Sequence, residues 1–245
     1  MNTHKQNKNR KAVVLFSGGL DSTTCLAIAI SNNFETHAIT FCYGQRHQSE
    51  IKAASEIARS LSTFRHELFN INLAQFGGSS LTGVAEVPKD RSKEEMSEGV
   101  PSTYVPARNT VFLSIALARA ETIGASDIYI GVNALDYSGY PDCRPEFIEA
   151  FQNVANLATK ASVENTDAPT RNLKVHAPLQ KMTKSEIIKK GISLGIDYSQ
   201  TMSCYDPPKM KSTKLGHCGH CDACILRKKG FYEAGVIDPT IYQKL

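Results

Sequence analysis

The chain has 245 residues, of which 41% are hydrophobic and 21% charged, a composition that excludes fibrous and intrinsically disordered proteins. Its formal net charge is +4, and the whole excess lies in residues 184–245, where ten Lys and Arg stand against six Asp and Glu. The sequence lacks a run of about 20 apolar residues, so no membrane span is predicted, and its basic start lacks a signal-peptide core. We therefore expect a cytoplasmic protein whose seven cysteines are metal ligands or buried thiols.

Predicted strands and helices alternate along most of the chain. Residues 1–11 are polar and are expected to be disordered. Strands are predicted at 12–16, 36–41, 65–71, 127–132 and 173–175, and helices at 22–31, 49–61, 109–122, 146–161 and 183–194. Residues 77–104 show no sustained period and are predicted to form a long surface loop. The order predicts a doubly wound α/β fold with a parallel sheet over 12–183, followed by a helical C-terminal region at 184–245.

A glycine-rich turn joins the first predicted strand to the first predicted helix. It reads Ser17-Gly18-Gly19-Leu20-Asp21-Ser22, and its glycines allow an anion to approach backbone N–H groups at a helix start. Asp21 either caps the helix or holds Mg²⁺. The turn matches neither a Walker A sequence nor G-x-G-x-x-G, so we predict a different kind of phosphate loop.

This string resembles the SGGxDS signature of the PP-loop ATP pyrophosphatases at every signature position. The resemblance implies an adenylating enzyme, with a Rossmann-like fold of the PP-loop ATPase type, that cleaves ATP between its α and β phosphates with Mg²⁺. It implies that ATP is bound by Phe16, Ser17, Gly18, Gly19, Leu20, Asp21, Ser22, Thr23, Thr24, Cys25 and Leu26. Among these, Ser17, Asp21 and Ser22 are expected to act in catalysis. Charge that develops on the departing pyrophosphate would be stabilised by the loop's backbone dipoles.

A cysteine cluster near the C-terminus predicts a metal site. Cys218, Cys221 and Cys224 form C-x₂-C-x₂-C, and Cys204 precedes them by fourteen residues. Four thiolates make a closed, structural Zn²⁺ site in a small C-terminal subdomain. His217 and His220 are rival ligands, and an iron–sulfur cluster is the alternative, although the run lacks the last cysteine and proline of a ferredoxin.

Three further segments, 43–47, 105–109 and 131–144, complete a wider resemblance. Together with the loop and the four cysteines, and in this order along residues 12–235, they resemble the 7-cyano-7-deazaguanine synthase family of queuosine biosynthesis. The resemblance implies that 7-carboxy-7-deazaguanine and ammonia are converted to the nitrile, with ATP activating first the carboxylate and then the amide oxygen. It implies no direct contact with nucleic acid and no membrane, and it leaves monomer and homodimer both open.

Several polar residues outside the loop are candidates for substrate contacts. Arg108, at a predicted helix entrance, is a catalytic candidate because its guanidinium fork suits either an α-phosphate or a carboxylate. Residues that follow strand ends face the expected ligand crevice. The predicted substrate-binding residues are Tyr43, Gln45, Arg46, His47, Asp136, Tyr137, Asp142, Arg144 and Lys181. Lys184, next to Lys181, is a further candidate for phosphate contact.

Two other functions are compatible with parts of the sequence. A PP-loop enzyme that adenylates and thiolates a tRNA base shares the loop, although such enzymes usually need a catalytic cysteine pair or an RNA-binding domain. A zinc-knuckle module that binds nucleic acid would use the basic tail, which lacks interleaved aromatic and basic residues. The first alternative predicts binding to tRNA, and the second predicts no use of the phosphate loop.

Overall fold

The computed structural model describes residues 10–47, 49–133, 139–164, 172–208 and 216–243, with the backbone alone at 161 and 162. The main sheet contains β1 (Lys11–Leu15), β2 (Glu35–Cys42), β3 (Arg65–Asn70), β4 (Asp127–Tyr129) and β5 (Lys174–His176). Two short strands, β6 (Gly216–His217) and β7 (Ile241–Tyr242), pair with each other near the C-terminus. The helices are α1 (Leu20–Ser31), α2 (Ser49–Ser60), α3 (Lys93–Ser97), α4 (Arg108–Ile123), α5 (Pro145–Leu157), α6 (Lys160–Glu164), α7 (Lys184–Ser193) and α8 (Asp222–Ala234).

All neighbours in the main sheet are parallel, and their order is β3-β2-β1-β4-β5. The chain therefore extends the sheet in one direction from β1 to β3 and in the other from β4 to β5. Because crossovers between parallel strands are right-handed, this order implies that α1 and α2 lie on one face of the sheet and α4 and α5 on the other. The predicted doubly wound α/β fold is confirmed. The order reverses between β1 and β4, which is where such sheets bind ligands, beyond the carboxyl ends of their strands.

One hydrophobic cluster runs through the sheet and the C-terminal helices. Ala12, Val13 and Val14 of β1 are completely buried, as expected for a central parallel strand. The same cluster includes Ile187 of α7 and Phe231 of α8, and α7 packs against both α1 and α8. The C-terminal region therefore lies directly against α1 of the α/β domain.

Element boundaries differ from the sequence prediction where a local contact decides them. The prediction of disorder over residues 1–11 does not hold at its end, because β1 begins at Lys11 and Arg10 donates to both Asp127 carboxylate oxygens at 2.9 Å; residues 1–9 lie outside the described residues. The helix predicted at 146–161 is divided into α5 and α6. The capping box of Thr183 and Glu186 does open α7, as its pattern indicated.

The segment 77–104 is not a simple surface loop. It contains the short helix α3, whose N-cap Ser92 forms a capping box with Glu95. It is also attached to the cysteine-rich region, since Lys89 bridges to Cys221 and Arg91 forms an ion pair with Asp222. These partners are more than 130 residues away along the chain, so no local sequence pattern could predict the contacts. Among the described helices none is long and apolar enough to cross a membrane.

Candidate active site and metal centre

The glycine turn lies at the carboxyl end of β1 and leads into α1. Gly18 has a φ of +79°, and a Cβ at this position would lie 2.6 Å from the backbone nitrogen of Ala54 in α2. Glycine is therefore required here both by the left-handed backbone and by the close approach of α2. This contact places α2 directly against the turn that precedes α1.

Backbone and hydroxyl donors gather in this turn. The Ser17 and Ser22 hydroxyl oxygens are 3.0 Å apart, and the Ser17 N–H donates to Ser22 Oγ at 3.2 Å. The N-cap of α1 is Gly19, so no side chain accepts from the helix's first N–H groups, which also have no acceptor within the helix. The turn thus offers a helix N-terminus and two hydroxyls to an anion.

Asp21 does not cap α1, which was one of its two predicted roles. Its carboxylate accepts from Lys184 Nζ at 2.7 and 2.9 Å and from Asn133 Nδ2 at 3.2 Å. These partners come from the start of α7 and from the segment after β4, so one carboxylate joins three parts of the fold. Asp21 also lines the cavity described below, and carboxylate oxygens are hard ligands of the kind that Mg²⁺ prefers.

A cavity of about 270 Å³ opens beside the turn, at the edge where the strand order reverses. Predicted site residues that line it are Phe16, Ser17, Gly19, Leu20, Asp21, Ser22, Tyr43, Gln45, Arg46, His47, Arg108 and Lys184. Residues without a sequence prediction also line it, among them Glu50, Asn109, Phe112, Gly131, Tyr140, Ser203 and Arg227. Side chains from both halves of the sheet and from the C-terminal region therefore share one space.

The remaining predicted residues lie elsewhere. Gly18, Thr23, Thr24, Cys25 and Leu26 support the loop from within α1 or behind it, and none lines the cavity. Thr24 illustrates this role, since its buried hydroxyl bonds the Tyr198 hydroxyl at 2.8 Å.

Three predicted substrate contacts also lie away from the cavity surface. Asp142 is buried, and its carboxylate accepts from the Asn109 N–H at 2.8 Å, which holds the start of α4. Arg144 and Lys181 are exposed, and Arg144 Nε donates to the Pro141 carbonyl at 3.1 Å. Asp136 and Tyr137 lie outside the described residues.

Arg108 opens α4 and lines the cavity. Its positive charge acts on both Tyr43 and Glu50. Burial raises the pKa of Tyr43 to about 12 and that of Glu50 to about 7, although Arg108 opposes both shifts. The wall therefore combines a permanent cation, a neutral phenol and a carboxyl group that titrates near neutral pH.

Local interactions fix the polar segment after β2. Gln45 Oε1 accepts from the Tyr43 N–H at 2.7 Å, while Gln45 Nε2 donates to the Phe41 carbonyl at 3.2 Å. Arg46 donates to the Ala85 carbonyl, and His47 lies 3.5 Å from a carboxylate oxygen of Asp206. This segment is held to the strand end, to the 77–104 segment and to the C-terminal region at once.

The four predicted cysteines come together and are all buried. Their sulfur atoms lie within 4.8 Å of one another, with Cys204 to Cys221 at 4.0 Å and Cys218 to Cys224 at 3.9 Å. Four ligands at a tetrahedral Zn–S distance would be ~3.8 Å apart, so the thiols fit a metal ion. His217 and His220 are engaged elsewhere, with the Ser203 N–H at 3.2 Å and with Asp90 at 2.7 Å.

Glu50 is the main site residue that the sequence did not reveal. Its only local signal is an acidic residue in the first turn of a helix, and such residues commonly complement the helix dipole. Its position in the cavity depends on the packing of α2 against Gly18, which is a tertiary contact.

Comparison with known proteins gives concordant matches over nearly the full chain. Residues 11–235 match the family model described as queuosine biosynthesis protein QueC. The chain is 58% identical over 237 residues to a 7-cyano-7-deazaguanine synthase of Syntrophobacter fumaroxidans, covering 97% of this chain and 98% of the relative. A protein of the same name from Myxococcus xanthus is 56% identical, with 95% and 97% covered. Among solved structures, NMN synthetase from Francisella tularensis superimposes with a TM-score of 0.49 at 15% identity, covering 94% of this chain and 79% of that one.

Proposed function

The chain belongs to the QueC family of queuosine biosynthesis proteins, and from this we propose that it is a 7-cyano-7-deazaguanine synthase. It would convert 7-carboxy-7-deazaguanine and ammonia into the nitrile at the expense of ATP. One structural observation carries the proposal: the phosphate-binding turn Ser17–Ser22 and Arg108 line the same cavity. An anion-binding helix start and a fork for a second anion are the two elements that adenylation of a carboxylate requires.

The phosphate turn would hold the pyrophosphate part of ATP. As the bond between the α and β phosphates breaks, negative charge grows on the leaving group, and fixed N–H dipoles stabilise it without reorganisation. The Ser17 and Ser22 hydroxyls add donors to the same turn. Lys184, whose Nζ lies against Asp21, adds positive charge beside it. A Mg²⁺ ion bound with ATP would be held by the Asp21 carboxylate and would screen the phosphate charges.

Arg108 would orient the carboxylate that attacks the α-phosphate. Arg108 lines the cavity beside Tyr43, and its planar fork can meet an anion with two parallel N–H groups. Because Tyr43 stays neutral well above physiological pH, it does not compete for that positive charge. Holding carboxylate and ATP in line converts a bimolecular step into one within a single complex.

The same cavity would serve two activations. Adenylation makes one carboxylate oxygen a leaving group, and ammonia replaces it to form the amide with release of AMP. A second adenylation activates the amide oxygen, and loss of AMP leaves the C≡N bond. No covalent bond to a protein side chain is needed, since each leaving group departs on AMP.

We assign the four-cysteine cluster to a structural zinc ion. Four protein ligands close the coordination sphere, and the cluster is tied to the cavity because Cys204 also lines it. Backbone N–H groups of Cys218 and Cys221 point at cluster sulfurs at 3.2 and 3.3 Å, an arrangement that favours thiolates. Bound zinc would supply folding energy and would hold this corner of the cavity together.

The test is mass spectrometry of the protein incubated with Mg-ATP, ammonium and 7-carboxy-7-deazaguanine. We expect the nitrile base and AMP to appear together, and only the activated acid or no product when ammonium is omitted. Arg108→Lys keeps the charge but loses the fork, and should lower nitrile formation about 100-fold. Arg59→Lys, an exposed change at the end of α2, is the control. An unchanged base in the presence of bound ATP would refute the proposed substrate and direct the test to tRNA.

A further inference from the structure

Glu50 lies where the reacting groups would meet. It belongs to the first turn of α2 and lines the cavity. A Cβ on Gly18 would lie 3.0 Å from the Glu50 carbonyl oxygen, so this turn of α2 is in contact with the phosphate-binding turn. Glu50 therefore shares the cavity with Arg108 and the phosphate-binding turn, which are the groups that would surround an adenylated carboxyl carbon.

Within the described residues, the Glu50 carboxyl group forms no hydrogen bond and no ion pair, whereas Glu95 and Glu186 complete capping boxes and Glu67 pairs with arginines. Two neighbours act on its charge, namely Arg108 at the start of α4 and Tyr43 after β2. The other charged or titratable side chains lining the cavity include Asp21, Arg46, His47, Tyr140, Lys184 and Arg227.

The proposed reaction must dispose of protons at nitrogen. When ammonia displaces AMP from the activated acid, the nitrogen forms a C–N bond and must lose one N–H proton to give the neutral amide. Turning the amide into the nitrile removes the two remaining N–H protons as the C–O bond breaks and AMP takes its electron pair. A base beside the acyl carbon is therefore required three times per turnover.

We propose, on the basis of the function proposed above, that the Glu50 carboxylate is the base that accepts these nitrogen protons. Each transfer breaks an N–H bond and forms an O–H bond on Glu50, and the proton then passes to solvent through the open cavity. The absence of a competing hydrogen bond leaves the carboxylate oxygens available to the nitrogen. Arg108 would hold the acid's oxygen on one side while Glu50 receives protons on the other.

The acidity of Glu50 suits this role. Burial raises the pKa of its carboxyl group to about 7, and a general base works best when its pKa is near the working pH. An ordinary exposed glutamate would be a much weaker base.

The test separates activation from proton transfer by using Glu50→Gln. Substrate-dependent exchange of pyrophosphate into ATP reports the first adenylation, which moves no nitrogen proton, so this exchange should persist within a few-fold. Formation of amide and nitrile at a fixed concentration of free NH₃ should fall by about 100-fold or more. Glu56→Gln is the matched control, since Glu56 lies in the same helix, exposed, with Lys52 as its neighbour at 4.0 Å.

The pH profile gives a readout that a purely structural role would not move. With free NH₃ held constant, the wild-type rate should rise through pH 7 and then level, and Glu50→Gln should lack this bend. The proposal would be overturned if Glu50→Gln formed the nitrile at the wild-type rate. It would also be overturned if this variant lost pyrophosphate exchange and nitrile formation to the same extent. If the wild-type protein itself shows no exchange with 7-carboxy-7-deazaguanine, the proposed function fails instead.

Discussion

Replacing Gly18 by alanine tests whether the contact between the phosphate turn and α2 is as tight as the structure indicates. Two costs are expected. The left-handed backbone costs an L-residue ~1–2 kcal/mol. The added Cβ would also lie 2.6 and 2.9 Å from the backbone nitrogen and Cα of Ala54, and such overpacking costs ~1–3 kcal/mol because a helix backbone must shift.

Gly195 provides a matched control for the first of these costs. Its φ is also +79°, but a Cβ there would meet nothing within 4 Å. The difference between Gly18→Ala and Gly195→Ala therefore isolates the steric contact. For a chain of this length, each kcal/mol lowers the melting temperature by about 2–4 °C.

Urea denaturation of the two variants, with and without ATP, measures both consequences. Gly18→Ala should lose more free energy of unfolding than Gly195→Ala by ~1–3 kcal/mol. It should also bind ATP more weakly, since a displaced α2 opens the turn. Equal destabilisation of the two variants, with unchanged ATP affinity in both, would refute the reasoning.

Three further predictions use independent readouts. Cys221→Ser should reduce bound zinc below one equivalent by elemental analysis and lower the melting temperature, because a buried ligand is lost; Cys42→Ser, outside the cluster, should do neither. Asp21→Ala and Gly19→Val should abolish AMP formation while circular dichroism stays native, and turnover retained in both would contradict the assigned ATP site. Glu50→Gln should stabilise the ligand-free protein at pH 8 by on the order of 1–3 kcal/mol. The folded-state pKa of about 7 exceeds the ordinary 4.5, so the folded protein holds the extra proton between these values and stability falls as pH rises through this window. Denaturation at pH 5 should therefore show little difference, and a larger gain at pH 5 than at pH 8 would contradict the sign.

The sequence predicted the glycine turn and the cysteine cluster because both signals are local. A buried strand, two glycines and a helix start are consecutive in the chain, and their geometry follows from backbone preferences alone. Three of the four cysteines are likewise spaced within seven residues. Cys204 was predicted as the fourth ligand beside two rival histidines, and its sulfur does lie together with those of the other three cysteines.

Contacts between distant segments could not be predicted in the same way. Asp21 and Lys184 are 163 residues apart, and both Mg²⁺ binding and helix capping were reasonable roles for Asp21 alone. The 77–104 segment has no period, yet Arg91 and Lys89 attach it to the cysteine-rich region. Each of these pairs depends on which elements the sheet order brings together.

The sequence by itself therefore determined the fold class, the glycine turn proposed to bind ATP and the thiol cluster. Periodicity, turn chemistry and ligand spacing each depend on a few neighbouring residues, so they can be read from the sequence without knowledge of the tertiary structure. Tertiary structure alone decided that α2 would press against Gly18 and bring Glu50 into the cavity with Arg108. Burial then raised the pKa of the Glu50 carboxyl group. A pKa depends on the dielectric and the charges around the group, and the residues that supply them come together only when the chain folds.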